Sequence, residues 1–551
     1  MNLLKKLTSR INIQTALVSL CVLGVCIGTQ QIQTVAWNTG IIEFARDSLG
    51  VLMAVILFTN YKWTDFVKYK IPYIIWSAAG VLAGVLIVPV AFGRRLDFLK
   101  ADTVIIALGI FLMGYCVIHT AISFFVEKCR PKLYLPLFII WIVMLVLMIF
   151  SKSDYIWPEC YFVLFLCYYL TPQTPAQREN VTMGLINGLI LGFVLIQAHS
   201  LLCRPYDKLR YQGNFCNPNN NCLFLCLCLA AILTKILFLT RDNGKKIVRI
   251  IHFLLAGACD AFICMTMGRS GYLATFVITI CFLAVYCRIR GRKIFIRMGA
   301  LLVAVFVVML PVTYLAVRYI PTIHPHVLFY YQEGYSESFV HSWDSWDSEK
   351  YITFRQMLEG ILGRFGNLKS SYNNAHESGN VTAFAQEEMK MASAAGHLPF
   401  ALLSASGTNA AETQTDARKV PALSREEAES PLLVRYTIYK WFFTHLSLRG
   451  MPYEEQGFQL AEGYWVQHAH SIYLDYGINF GYPVMILFVV FVWWGAGRLF
   501  WQGIKTKDVK KTGSLMIALV PLVFGLFEFA WGAGMISTVA LYMAFKEMVT
   551  V

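Results

Sequence analysis

Apolar residues in this chain come in long blocks, and polar residues gather in the gaps between them. Fourteen blocks stand out, near 13–28, 48–60, 72–92, 104–126, 134–151, 155–171, 182–202, 221–240, 250–267, 270–287, 298–317, 470–498, 512–530 and 533–546. Most approach the roughly 17–25 residues that an α-helix needs to cross about 30 Å of hydrocarbon. The second and sixth are shorter and fit tilted or re-entrant pieces. The two-residue alternation of a membrane β-barrel strand is absent. The pattern predicts an all-α polytopic membrane protein with about 12–14 transmembrane helices. The opening MNLLKKLTSR before an apolar run resembles a secretory signal. It has no small-x-small cleavage site, so it is expected to stay as a signal anchor. Four regions follow: N-terminal helices in 1–180, core helices with arginine-bearing loops in 181–318, one large polar segment in 319–469, and closing helices in 470–551.

Composition narrows the class. The chain is 57% hydrophobic and 15% charged, with a net charge of +14, whereas soluble domains average about 25% charged residues. An ordinary soluble enzyme, a disordered chain and a nucleic-acid binder with a basic surface are excluded. Basic residues in short loops set membrane orientation. With the N-terminus inside, the inner segments hold 26 of the 47 basic residues and 6 of the 33 acids. The short outer segments hold 10 basic and 7 acidic residues. This asymmetry predicts a cytoplasmic N-terminus and places 319–469 outside. That segment is net negative, so the overall charge is mainly a topology signal.

The middle of the outer segment, about 372–430, is rich in Ala, Ser, Thr and Glu and is expected to be disordered or loosely helical. Its flanks, 324–366 with its aromatic residues and 431–465 with the helical-looking run LLVRYTIYKWFFTHL, are expected to pack on the outer membrane face. All 15 cysteines lie at or before Cys287. Cys222, Cys226 and Cys228 share one apolar helix and read as small buried hydrophobes. Cys203 and Cys216 share an outer loop where pairing is open, although spacing does not show it. Neither a phosphate-binding P-loop nor an HExxH zinc motif occurs, so energy coupling by ATP has no support.

Three outer-face features concentrate polar chemistry. The loop CRPYDKLRYQGNFCNPNNN carries Arg204, Lys208 and Arg210, then a reversal through Gly213, Asn217, Pro218 and Asn219 into a helix, whose unpaired N–H groups suit an anion. The turn TMGRSGYLA sets Arg269 between two helices at the membrane surface, where a charge is costly unless it is paired or faces water. Its planar fork suits phosphate. Asp260 lies deeper on the preceding helix. The stretch GYWVQHAHSIYLDYGINFGYP brings His468, His470 and Asp475 to the boundary where the outer segment returns to the membrane. A neutral imidazole accepts a proton from a hydroxyl near pH 7. Each feature has a plainer reading as a headgroup anchor, a structural arginine or a surface histidine; together they favour a site. Asp475 is the only carboxylate near the histidines in sequence, a poor set for a metal. Arginines holding a diphosphate beside a histidine that activates a hydroxyl point to a bilayer-anchored, diphosphate-linked sugar as donor.

At these residues the chain resembles the O-antigen ligase and polysaccharide polymerase superfamily of bacterial membrane glycosyltransferases. Three patches carry the resemblance in order: Arg-x-x-Gly-Asn-Phe-x-Asn-Pro-Asn at Arg210–Asn219, Gly268-Arg269-Ser270-Gly271, and His-Ala-His-Ser-x-Tyr-Leu at His468–Leu474, followed by Gly477 and Gly481. They lie within about 205–485; before residue 180 only hydrophobicity matches. The resemblance implies a GT-C-like fold in the bacterial cytoplasmic membrane. It also implies metal-independent, inverting transfer of a glycan from an undecaprenyl-diphosphate carrier, without a cofactor. Arg210 and Arg269 match diphosphate-holding positions and His470 the proposed base. His468, Arg204, Asn217 and Asn219 fall beside them as substrate-binding candidates. Arg435, in the run that resembles the family's outer helix leading to a glycine turn, is another. Two departures stand out: the enlarged outer segment, and Ser471 where the family usually has Asn.

The acceptor, whether glycan, lipid, protein or wall, is not encoded, so ligase and repeat-unit polymerase both remain open. A transporter or flippase is the reading of another class. It predicts internal repeats and midplane polar groups; no convincing repeat is seen, and Asp260 and Glu528 are the few acids within spans.

Overall fold

The computed structural model describes residues 12–28, 52, 56, 68–79, 114–115, 117–128, 130–153, 156–202, 206–207, 210–215, 217–320, 353–363, 431–452, 455–461, 464–466, 468–528 and 535–551. Most of the predicted span 48–60, residues 80–92 and 104–113, Arg204, Lys208, Cys203, Cys216 and all of 372–430 lie outside the described residues.

In chain order the elements are α1 (Ile13–Gly28), α2 (Leu135–Ile149), α3 (Ile156–Leu170), α4 (Pro175–Leu202), β1 (Tyr206–Asp207), β2 (Arg210–Tyr211), α5 (Pro218–Arg241), α6 (Lys246–Met265), α7 (Arg269–Arg290) and α8 (Phe295–Tyr319). They continue with α9 (Phe354–Gly363), α10 (Pro431–Thr444), β3 (Phe458–Ala461), β4 (Tyr464–Val466), α11 (Ile472–Phe480), α12 (Tyr482–Thr506), α13 (Val509–Phe524) and α14 (Ile536–Val549). Six of these helices, α4 to α8 and α12, are long and apolar enough to cross a membrane. The chain is a helical protein of multi-pass membrane character. Five other predicted spans form shorter helices, α1, α2, α3, α13 and α14, of 14 to 16 residues.

One predicted span divides. The block at 470–498 is two helices, α11 and α12, parted at Gly481. Gly481 has φ +99°, and a Cβ there would lie 2.3 Å from the Leu448 carbonyl oxygen. Tyr482 N–H donates to the Ser447 carbonyl oxygen at 2.9 Å. A passing backbone thus occupies the place where a continuous helix would carry a side chain. The two short antiparallel pairs, β1–β2 and β3–β4, have no counterpart in the periodicity; strands of two to four residues are too short to alternate visibly.

The chain forms two compact units. The first comprises residues 1–49, 174–373 and 492–551. Its centre is α5, apolar on every face and buried along nearly its whole length, as expected of a helix enclosed by others. The α1–α4 contact rests on small residues: a Cβ at Gly184, Gly188 or Gly192 would come within 2.5, 2.6 or 3.1 Å of Val18, Val22 or Cys26. Glycines one turn apart let two helix backbones approach closely. In contrast, α8 buries little and exposes Val303, Val307, Val308 and Val312, a face that lipid suits better than water.

Basic residues from several segments assigned to the same side meet at one end of this unit. Arg241 pairs with Glu179 at 2.8 Å, Lys510 with Glu547 at 3.2 Å and Arg178 with Glu547 at 4.0 Å. Arg498 donates to the Met548 and Thr550 carbonyl oxygens at 2.7 and 2.9 Å. Arg290 donates to the Thr240 carbonyl oxygen at 3.3 Å.

The second unit comprises residues 50–173 and 374–491. Trp141 stacks on Phe162 at 4.0 Å and Tyr476 on Phe488 at 4.1 Å. A small apolar core joins α10, the β3–β4 hairpin and α11 through Ile438, Trp441, Phe442, Phe458, Val466, Ala469 and Ile478. The described residues of the stretch 431–466 are therefore folded, and they are anchored directly on the residues around His470.

Candidate functional site

In the first unit the arginine loop is built on the start of α5. Asn217 is the N-cap and Pro218 the first helical residue; the Asn217 side chain accepts from Asn219 N–H at 2.7 Å. This satisfies one of the orphan donors of the first turn. Arg210, on β2, is 5% exposed. Its Nε donates to the Thr266 carbonyl oxygen at 2.8 Å, and its Nη2 donates to Asn219 Oδ1 at 2.5 Å. Part of the guanidinium fork is thus engaged by protein oxygens. Behind it lies a buried polar network: Tyr211 Oη donates to Gln197 Oε1 at 2.6 Å, and Asn214 N–H donates to Ser200 Oγ at 3.2 Å. His199 bonds the Asn214 amide.

Thr266 closes α6, and Met267 (φ +53°) and Gly268 then reverse the chain into α7. The glycines of the Gly-Arg-Ser-Gly patch have a packing role. A Cβ at Gly268 or Gly271 would lie 2.9 or 2.1 Å from Cys222 Sγ, so the thiol occupies the gap that they leave. Cys222, Cys226 and Cys228 are buried, as small hydrophobes are. Arg269 is the first residue of α7; it is exposed and makes no side-chain hydrogen bond or ion pair among the described residues. Two helix N-termini and two arginines therefore share this end of the unit, opposite its basic cluster. Unpaired helix N–H groups and the helix dipole favour an anion there.

In the second unit, His468 and His470 are half-buried on a non-helical segment leading to α11. His470 has φ +49°, in the left-handed region that non-glycine residues seldom adopt. Its carbonyl oxygen accepts from Tyr439 Oη at 3.4 Å. Arg435 is half-buried one helical turn before Tyr439 on α10. Ser471 is the N-cap of α11 but makes no side-chain capping bond. Asp475 acts instead: its Oδ1 accepts from Ala469 N–H at 3.1 Å, and its N–H donates to the Ser471 carbonyl oxygen at 2.9 Å. Asp475 is 3% exposed, and Oδ2 has no partner among the described residues. Asn479 Nδ2 donates to the Asp475 carbonyl oxygen at 2.7 Å, and Gln456 Nε2 donates to Asn479 Oδ1 at 2.9 Å.

The structure therefore joins Arg210, Asn217 and Asn219 to the turn before Arg269. It also joins His468 and His470 to the helix that carries Arg435. The backbone of Thr266 and the turn-closing part of Asp475 were not evident in the sequence. The one signal in the sequence is an acid five residues after His470. Among the described residues no group of three His, Cys, Asp or Glu side chains gathers that would hold a metal ion. Comparison with protein-family models, with curated proteins and with solved structures returned no match.

Proposed function

We propose that this protein is a GT-C-like, O-antigen ligase-like glycosyltransferase of the bacterial cytoplasmic membrane. It transfers a glycan from an undecaprenyl-diphosphate carrier to an acceptor hydroxyl on the outer face, with 319–469 extracytoplasmic. The observation that carries the reading is the hydrogen bond from Arg210 to the Thr266 carbonyl oxygen, which puts a buried arginine beside the turn opening α7 at the exposed Arg269. Cationic groups and helix N-termini at one end of a membrane bundle are what a lipid diphosphate requires.

In this mechanism His470 takes a proton from the acceptor hydroxyl, and the oxygen attacks the anomeric carbon with inversion. The bond to the diphosphate breaks, and Arg269 and Arg210 stabilise the charge that develops on it. Neither a metal nor a cofactor has a part. The test is the purified full-length protein with a synthetic undecaprenyl-diphosphate oligosaccharide. H470A is expected to lose about 10²–10⁴-fold in transfer while inserting normally; transfer at the unsubstituted rate refutes the base. Turnover is expected to persist in a chelator, and inhibition reversed by a divalent ion refutes the metal-free mechanism. Product chain length separates ligase from polymerase.

A further inference from the structure

The sharp reversal at His470 needs a fastening. A left-handed non-glycine residue costs about 1–3 kcal/mol and persists only where its surroundings over-determine it. The usual fastening, an N-cap side chain, is missing, because Ser471 makes no capping bond. Contacts from α10 and α11 help to hold the reversal. Tyr439 reaches the His470 carbonyl oxygen from α10. Asp475 reaches back across the turn to the N–H of Ala469, which is itself fully buried. A hydrogen bond in such dry surroundings is stronger than one in water. The arrangement is a variant of the capping box, with the reaching side chain on the first turn of α11 and the captured N–H ahead of the N-cap. Asn479 and Gln456 hold the Asp475 backbone from the other side, and Gln456 also donates to the Met451 carbonyl oxygen at 2.9 Å. The chain of bonds thus runs from the turn after α10, through α11, to the residue before His470.

We infer that Asp475 is a positioning residue: by accepting the Ala469 N–H it fixes the left-handed turn at His470 and so aims the imidazole. As a statement about catalysis this rests on the reading of His470 as base; as a statement about the turn it does not. The amide of Asn carries the same acceptor oxygen, so it is the conservative replacement. Alanine removes the acceptor and leaves a buried N–H unpaired.

The experiment uses the full chain in detergent and compares D475A, D475N, H470A and H470A/D475A. Two readouts are taken. The first is the rate of carbethoxylation of His470 by diethyl pyrocarbonate, followed by mass spectrometry, with the exposed His445 as internal reference. D475A is expected to change the His470 rate severalfold relative to His445, and D475N to restore it. An unchanged ratio in D475A overturns the inference, whatever the enzyme does. The second readout is glycan transfer. D475A is expected to lower kcat at least about tenfold with KM for the lipid donor nearly unchanged. D475N should recover most of that, and the double variant should be no worse than H470A. Equal loss in D475A and D475N, or a further loss in the double variant, also overturns the inference. Normal transfer by H470A sinks the proposed function while the carbethoxylation ratio still decides the turn.

Discussion

Arg210 donates its Nε hydrogen to the carbonyl oxygen of Thr266 at 2.8 Å, joining two parts of the chain 56 residues apart. Arg269, three residues beyond Thr266, has no such bond among the described residues. Two arginines that look equivalent in the sequence therefore have different physical tasks, and their substitution should separate them.

R210A should destabilise the protein as well as silence it. The change leaves the buried Thr266 carbonyl oxygen and the half-buried Asn219 Oδ1 without this donor, at about 1–3 kcal/mol. A lowered thermal midpoint in detergent is the expected result, and R210K should restore it only in part, since an ammonium cannot reproduce the fork.

R269A should leave the thermal midpoint nearly unchanged, because exposed substitutions without partners stay within about 0.5 kcal/mol. Transfer should nevertheless fall by about 10²–10³-fold, the typical cost of losing one donor to developing charge. R269K should also be impaired. Normal transfer by R269A would leave this arginine as a surface residue.

G188L should unseat α1 from α4. Even a Cβ at Gly188 would lie 2.6 Å from the Val22 Cβ, which belongs to a rigid β-branched side chain. Overpacking of this kind costs about 1–3 kcal/mol or more. Thermal unfolding of G188A and G188L should show a graded loss.

The membrane helices were readable in the sequence because a helix crossing hydrocarbon must be a continuous apolar block, a local property. The start of α5 was readable for the same kind of reason, since Asn217 and Pro218 cap their own first turn. So was the helix α10, from its run of apolar and aromatic residues. The division of 470–498 at Gly481 was not, because the cause is the backbone of Leu448, more than thirty residues earlier. The contrast between Arg210 and Arg269 depends on a carbonyl oxygen that only the packing of α5 and α6 brings near. Asp475 gained its place from a reversal at His470 that no periodicity announces. Element type and the grouping of charges follow from neighbours along the chain. Which polar groups are already satisfied, and which are left for a ligand, depends on neighbours in space, and the folded structure decided it.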